Sequence, residues 1–329
     1  MKKFLISICL AGTFAGITIF SWEKAFPTMG KPVIHEENLN MMLLEYAALG
    51  RAEDVEILLK RGANKEAIDK DGRSAFMIAA LEQNFSVAAC LASRGADINS
   101  TAYNRSTVLL LAVEDDQLET VRFLIEQGAD CSRQDSQGST PLILASMRGY
   151  DDIIKLLLKQ RLPLETEDDI GYTALAWAVT NGHGSTAKLL VEAGANVNVS
   201  TWKEFNTPLL TTVLTQNDPE MLELFLQAKV DLTVVNTGGE NALHRAIEMN
   251  KTHYAKRLID AGIDVNRQTD EGISALMFAA EAGDLELVKL LLARGADTSA
   301  VDKKGRNAFQ YCDVRRHRDI ATLLKPSQK

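Results

Sequence analysis

A glycine recurs at a fixed interval along most of this chain. Gly62, Gly95 and Gly128 lie 33 residues apart, and each is followed by alanine and then by asparagine or aspartate. The series resumes later in the chain, and a second glycine series keeps the same register. A fixed period of this length indicates a solenoid, in which each unit contacts only its neighbours. The chain is therefore expected to stack similar units instead of folding around one central core.

One clean period, residues 272–297, shows what each unit contains. Ser274 precedes a short apolar stretch and predicts the start of a first helix, because its hydroxyl can accept a hydrogen bond from a free amide. Gly283 predicts the end of that helix, since glycine adopts the left-handed conformation without strain. Asp284 then suits the start of a second helix with an apolar face, and Gly295 ends it. Each unit is thus expected to contain two helices.

Motifs around the first helix connect this unit to a known family. Thr140–Leu142 and Thr207–Leu209 read Thr-Pro-Leu, Asn241–His244 keeps a leucine followed by histidine, and Gly182–His183 occupies a turn between helices. The pattern resembles the ankyrin repeat over roughly residues 38–325. The resemblance implies an all-α repeat solenoid of about nine units, each a β-hairpin finger followed by two antiparallel helices. It also implies a structural role for His244, hydrogen-bonded within its own finger and helix.

The middle of the array departs from the pattern. Residues 160–163 and 229–231 replace the expected Gly-Ala-Asp turn, and insertions lie around Trp202 and around residues 217–219. Repeats four to six are therefore irregular. The sequence leaves open whether this reflects drift or a local bend used in binding.

The N-terminal residues differ in kind from the repeats. Two lysines, Lys2 and Lys3, precede an uncharged apolar run from Phe4 to Phe20, a pattern typical of a secretory signal. Residues 1–25 are predicted to be a signal peptide or an N-terminal membrane anchor, 26–37 a linker, and 38–329 the repeat domain. The expected location is periplasmic or secreted, with attachment to the inner membrane as the alternative.

No combination of side chains predicts catalysis, a cofactor or a metal site. The histidines lack zinc-binding spacing, and the acidic run at residues 165–169 lacks the pattern of a calcium loop. By repeat register, Cys90, Cys131 and Cys312 replace core residues, so they are expected to fill the interior. The net charge of -8 disfavours nucleic acid as a partner, because phosphate backbones require a basic surface.

The predicted function is a non-enzymatic, monomeric scaffold in the bacterial envelope or outside the cell. The ankyrin resemblance implies that a protein partner binds the concave surface formed by the finger tips and the exposed ends of the first helices. By register, the expected partner-binding residues are Tyr103, Met147, Arg148, Tyr172, Trp202, Lys203, Asn206 and Leu214. The alternatives are an accessory or protective subunit of an envelope enzyme, and a secreted effector directed at a host.

Overall fold

The computed structural model describes residues 36–201, 207–208, 213–214, 218–312 and 316–325. The predicted signal or anchor therefore lies outside the described residues. No helix within the described ranges is long and apolar enough to cross a membrane. The chain divides after Ser136 into two units, each packed on itself. We call them unit 1 and unit 2.

The described part of unit 1 consists of three helix pairs. Its helices are α1 (Glu36–Ala48), α2 (Ala52–Lys60), α3 (Ala75–Leu81), α4 (Phe85–Ser93), α5 (Val108–Glu114) and α6 (Leu118–Glu126). The first helices α1, α3 and α5 pack in sequence against one another, and each also packs against the second helix of its own pair. The second helices α2 and α4 pack against each other in turn. This two-row arrangement is the helical repeat that the sequence predicts.

The helices of unit 2 pack on one another in the same two-row arrangement. Its helices are α7 (Pro141–Arg148), α8 (Asp151–Leu158), α9 (Ala174–Thr180), α10 (Gly184–Glu192), α11 (Pro219–Gln227), α12 (Ala242–Glu248), α13 (Thr252–Asp260), α14 (Ala275–Ala282), α15 (Leu285–Ala293), α16 (Ala308–Tyr311) and α17 (Arg318–Leu324). The strands β1 (Ser200–Thr201) and β2 (Thr207–Pro208) pair antiparallel, with Ser200 opposite Pro208. The predicted fold class, an all-α repeat solenoid, is confirmed.

The first helices α3, α5, α7, α9 and α14 begin as predicted, at a capping hydroxyl. The side chain of Ser274 accepts a hydrogen bond from the amide of Met277 at 3.4 Å, and Thr173 accepts from Ala176 at 3.2 Å. The helix that starts at Ala275 ends at Gly283, whose φ is 75°. Asp284 caps the following helix by accepting from the amide of Leu287 at 2.9 Å. Each cap satisfies an amide that a helix N-terminus would otherwise leave without a partner.

The acidic or amide residue after each Gly-Ala pair fixes a turn and joins neighbouring repeats. In unit 1 the Oδ1 of Asp97 accepts from the amide of Asn99 at 2.9 Å, and the Oδ1 of Asn99 accepts from the amide of Asp130 at 2.9 Å. In unit 2 the Oδ1 of Asn266 accepts from the amide of Asp297 at 2.8 Å. The recurring Asp or Asn thus fixes its own turn with its side chain. Its backbone amide donates to an asparagine side chain of the preceding repeat, as in Asp130 and Asp297.

The two irregular turns keep the backbone of the regular ones. Gly194 has a φ of 97°, while Arg161 and Lys229 stand at the corresponding positions with φ of 54° and 57°. A residue with a β-carbon is strained in this left-handed region. The departures from the glycine pattern therefore change the energy of these turns and not their conformation.

The cysteines occupy interior positions to different degrees. Cys131 and Cys312 are buried, whereas Cys90 is half-buried, and all three are thiols. Burial raises the pKa of the Cys131 thiol to about 11, so it is a neutral thiol at physiological pH. The expected core role is confirmed for Cys131 and Cys312, and only in part for Cys90.

Candidate partner-binding surface

The fingers are turns built on the side-chain oxygen of an aspartate or asparagine. In unit 2 the Oδ1 of Asp168 accepts hydrogen bonds from the amides of Ile170 at 3.1 Å and Tyr172 at 2.9 Å. Asn236 makes the same turn by accepting from the amides of Gly238 at 2.9 Å and Glu240 at 3.0 Å. A single side chain thereby replaces the backbone partners that the tip of a hairpin lacks. The geometry holds each finger in place before any partner arrives.

Neighbouring fingers of a unit touch through their backbones. The amide of Asp270 donates to the carbonyl of Gly238 at 2.9 Å. A β-carbon added at Gly239 would lie 2.8 Å from the amide nitrogen of Asp270. Glycine is therefore required at this tip, both for its φ of 73° and for the close approach of the next finger.

Tyr103 lies at a finger tip of unit 1 and is 71% exposed. Its amide donates to the carbonyl of Asp71 at 3.3 Å, and its ring lies against Gly72 of the preceding finger. The backbone is thus anchored while most of the ring faces solvent. An exposed aromatic side chain with an anchored backbone is suited to contact a partner, because it offers much area at a low cost in conformational entropy.

Met147 and Arg148 lie at the end of α7, where Met147 is half-buried and Arg148 is exposed. The carbonyl of Met147 accepts from Nδ2 of Asn181 at 2.8 Å and forms a hydrogen bond with Nε2 of His183 at 3.1 Å. These contacts come from the next repeat. His183 therefore has a structural role between helix pairs, and the C-terminal end of α7 is held in place beside the exposed arginine.

Sequence comparisons find the same repeat over most of the chain. Models of ankyrin repeats match residues 43–135, 109–201, 238–270 and 258–312. The chain belongs to the ankyrin repeat family.

Similar ankyrin proteins match part of this chain. The B-cell lymphoma 3 protein homolog of Mus musculus is 32% identical over 123 residues, which cover 36% of this chain and 27% of that protein. The nuclear factor NF-kappa-B p105 subunit of Gallus gallus is 30% identical over 142 residues, which cover 41% of this chain and 14% of that protein. Protein phosphatase 1 regulatory subunit 27 of Mus musculus is 29% identical over 121 residues, covering 36% of this chain and 78% of that protein. The matched segment thus spans less than a third of the first two relatives.

Two of the expected partner-binding residues do not lie on the ankyrin surface. Tyr172 is 4% exposed and Leu214 is fully buried, so the expectation that they face a partner is wrong. Tyr172 lies at the base of its finger, where its amide donates to Asp168 and its ring packs against Trp177 with centroids 4.9 Å apart. An insertion separates Leu214 from the regular repeats. Counting whole periods from Met147 therefore does not predict the position that Leu214 occupies.

The remaining expected residues Trp202, Lys203 and Asn206 lie outside the described residues. The described part of the proposed surface therefore consists of Tyr103 in unit 1 and of Met147 and Arg148 in unit 2. The structure adds one residue that the sequence analysis did not name. Trp177 is half-buried on α9, one period of 33 residues after the half-buried Leu144 on α7. This register was the signal that could have identified it.

Trp177 is held in one orientation. Its Nε1 donates to Oδ2 of Asp168 at 2.7 Å, and Tyr172 packs against its ring. Every other apolar residue of α9 is buried, including Leu175 and Val179. We give the name finger–helix face to the finger tips and the part-exposed positions of the first helices in each unit. It includes Tyr103 in unit 1 and Met147, Arg148 and Trp177 in unit 2.

His244 has the structural role that the ankyrin resemblance implies. It is 1% exposed, and its Nδ1 accepts a hydrogen bond from the amide of Asn241 at 3.2 Å. The side chain of Asn241 accepts in return from the amide of His244 at 3.2 Å. Burial lowers the pKa of His244, which keeps the imidazole neutral and able to accept. This pair forms a capping box.

Proposed function

We propose that this ankyrin chain is a non-enzymatic, monomeric scaffold that binds a protein partner along its finger–helix faces. The observation that carries the proposal is the placement of Trp177. The core of α9 is built from small and medium side chains, yet the largest apolar residue of the helix stands at a part-exposed position. Tryptophan is among the residues that contribute most to protein interfaces. Its fixed orientation lowers the entropic cost of binding.

The titratable groups with shifted pKa values have structural roles. Within the described ranges, no group of three or more His, Cys, Asp or Glu side chains could hold a metal ion. His244 is occupied in a helix cap, and its lowered pKa follows from burial. Asp302 is hydrogen-bonded to Arg306 and Tyr311 at a finger base. These perturbed groups serve the fold, each in its own repeat.

Met147 and Arg148 give the proposal a direct test. The full chain, carrying a C-terminal tag, is cross-linked in the producing cells, and the proteins that co-purify are quantified by mass spectrometry. Combining Met147→Ala with Arg148→Ala is expected to reduce recovery of the specific partner severalfold, and Tyr103→Ala tests unit 1 in the same way. Lys155→Ala is the matched control, because Lys155 is exposed on the second helix α8 of the same repeat.

The results of these experiments decide whether this surface binds a partner. Loss of a partner with the face variants, but not with the control, supports the proposal. A partner that is retained at full yield by all the face variants contradicts it. Turnover of a substrate by the purified chain, abolished by substitution of one histidine or aspartate, would contradict the non-enzymatic part. Sedimentation equilibrium of the purified chain tests whether it is a monomer.

Export is a separate part of the proposal, supported by the sequence of the first residues. Lys2 and Lys3 before the apolar run Phe4–Phe20 favour a signal or an anchor directing the repeats out of the cytoplasm. Fractionation of the producing cells, with intact mass measurement of the recovered chain, distinguishes a cleaved periplasmic form, a secreted form and a membrane-anchored form. Recovery of the uncleaved chain in the cytoplasm alone would contradict export.

A further inference from the structure

The first helices of unit 1 present an apolar strip bordered by acidic side chains. Leu49, just after α1, is 62% exposed, and Ile78, Leu81 and Leu111 on α3 and α5 are half-buried. Exposed carboxylates lie along the same helices and at their C-terminal ends. They are Glu45, Glu82, Glu114 and Asp115. We call these eight residues the acidic strip.

Two carboxylates on the second helices of unit 1 are ion-paired along those helices, whereas the carboxylates of the acidic strip are not. Glu56 on α2 is paired with both Lys60 and Arg94, at 3.0 and 2.9 Å. Glu119 on α6 is paired with Arg122 at 3.4 Å. In the described ranges, none of the four carboxylates of the strip is within ion-pair distance of a basic side chain. The four carboxylates of the acidic strip thus carry negative charge that no ion pair among the described residues offsets.

Helix polarity adds to this charge. Glu82 is the C-cap of α3, and Asp115 is the C-cap of α5. The C-terminal end of a helix carries a partial negative charge and favours a nearby cation. Two acidic side chains at such ends are therefore unfavourable in the free chain, and a cation placed there would be stabilised by both the carboxylates and the helix ends.

The acidic border is denser in unit 1 than in unit 2, where Glu281 on α14 is also an exposed carboxylate of a first helix. One period after Asp115, the corresponding position in unit 2 is Arg148, and the first helix α12 carries Arg245 beside Glu248. The apolar positions continue in unit 2 as Leu144 and Trp177. The two faces thus share their apolar positions and differ in charge, so they are suited to different segments of a partner.

We propose that the acidic strip binds a cationic amphipathic helix of the partner, a proposal that rests on the protein-binding function argued above. Packed helices lie about 8–10 Å apart, and an α-helix advances about 10.5 Å in seven residues. Apolar side chains spaced seven residues apart on the partner helix therefore meet successive first helices of unit 1. Lysine or arginine residues beside that apolar stripe meet Glu82, Glu114 and Asp115. About fifteen residues span the three first helices.

The probe is a fifteen-residue peptide of leucine and lysine with the leucines at helical spacing. Two peptides serve as controls, one with the same composition in scrambled order and one with glutamate in place of lysine. Binding to the full chain is measured by fluorescence anisotropy at physiological salt. The strip variant combines Glu82→Gln, Glu114→Gln and Asp115→Asn. The matched variant removes the same charge from the second helices by Glu53→Gln, Glu119→Gln and Glu126→Gln.

Three exposed charge pairs together account for about tenfold in affinity. The strip variant is expected to weaken binding of the amphipathic lysine peptide by about that factor, whereas the matched variant changes it less than about twofold. Leu81→Gln is expected to weaken binding without changing net charge. Circular dichroism confirms that each variant keeps its helices.

Several results would overturn the inference. They are equal weakening by the strip and matched variants, equal binding of the scrambled peptide, and equal binding of the glutamate peptide. The peptide result does not depend on finding the natural partner. If a co-purified partner is lost with Met147→Ala and Arg148→Ala but retained by the strip variant, the scaffold function stands and the proposal that the acidic strip binds the partner is wrong. If the peptides behave as expected but all the face variants retain the co-purified partner at full yield, the scaffold function proposed for the finger–helix faces fails while the acidic strip remains a site for a cationic helix.

Discussion

The indole nitrogen of Trp177 donates a hydrogen bond to Oδ2 of Asp168 at 2.7 Å, linking the first helix α9 to the base of its own finger. The other oxygen of Asp168 fixes the finger turn through the amides of Ile170 and Tyr172. In another repeat a guanidinium takes the place of the indole, since Nε of Arg73 donates to Oδ2 of Asp69 at 2.9 Å. An aromatic residue on the proposed binding face therefore also stabilises the finger.

Replacing Trp177 with phenylalanine is expected to destabilise the chain. Asp168 is 7% exposed, so loss of the indole leaves a buried carboxylate oxygen without this donor. An unsatisfied buried polar group costs about 1–3 kcal/mol, and we expect a loss of about 1–2 kcal/mol in the free energy of unfolding. Urea titration followed by circular dichroism measures it.

A double-mutant cycle separates the hydrogen bond from the change in ring size. Asp168→Asn retains an oxygen for the finger amides, as Asn236 does in its own finger. Its second position becomes an amide nitrogen that cannot accept from the indole. The effect of Trp177→Phe should shrink by about 1 kcal/mol in the Asp168→Asn background. An unchanged effect would show that the bond contributes nothing.

The glycine turns allow a second prediction, in which substitution stabilises the chain. Arg161 and Lys229 adopt the left-handed conformation that glycine adopts at the same position in other repeats. The strain of a β-carbon there is about 1–2 kcal/mol, offset in part by the flexibility of glycine in the unfolded chain. Arg161→Gly and Lys229→Gly are each expected to raise the free energy of unfolding by about 0.5–1 kcal/mol.

The reverse change at a regular turn provides the control. Gly194 has a φ of 97°, and a β-carbon added there would meet no atom within 4 Å. Gly194→Ala therefore tests the backbone conformation without a clash, and we expect a loss of about 1 kcal/mol. If Gly194→Ala were neutral, strain at Arg161 and Lys229 would be too small to matter.

The features that the sequence predicted correctly are those fixed by local chemistry. Ser274, Gly283 and Asp284 begin and end helices through contacts within four residues, so their types suffice to place them. The position of Tyr172 depends instead on which way a finger base faces, and its burial against Trp177 is a tertiary contact. Likewise, the division after Ser136 depends on packing and has no marker in the repeat pattern.

His244 is expected to make stability depend on pH near neutrality. Burial lowers its pKa in the folded chain below its ordinary value. Protons are therefore bound preferentially by the unfolded chain, and stability present at pH 7 falls as the pH drops below about 6.5. His244→Gln should remove this dependence and keep the cap, because Gln310 makes the same cap by accepting from the amide of Asn307 at 3.0 Å.

The measurement is the urea midpoint of both chains between pH 7.5 and pH 5. The other histidines are common to both, so the difference between the two curves reports His244. The wild-type chain should lose stability relative to His244→Gln as the pH falls. Parallel curves over this range would contradict the prediction.

Asp302 is expected to give a second, more acidic transition. Burial acts to raise its pKa, but hydrogen bonds from the Arg306 amide, the Tyr311 hydroxyl and the Arg306 side chain outweigh it and hold the pKa at about 2. The folded chain therefore binds the proton less tightly than the unfolded chain. The stabilisation is complete above about pH 4 and is lost as the pH falls towards 2.

Asp302→Asn removes the charge while retaining an oxygen for the finger turn, which Asn236 shows to be compatible with this fold. At pH 7 the variant should be less stable than the wild-type chain, because Arg306 and Tyr311 lose a charged acceptor. The two chains should converge in stability near pH 2. Hydrogen exchange of the α16 and α17 amides, followed by mass spectrometry, measures the difference in the last repeat directly. A gap between the two chains that stays constant from pH 5 to pH 2 would show that Asp302 does not titrate with folding.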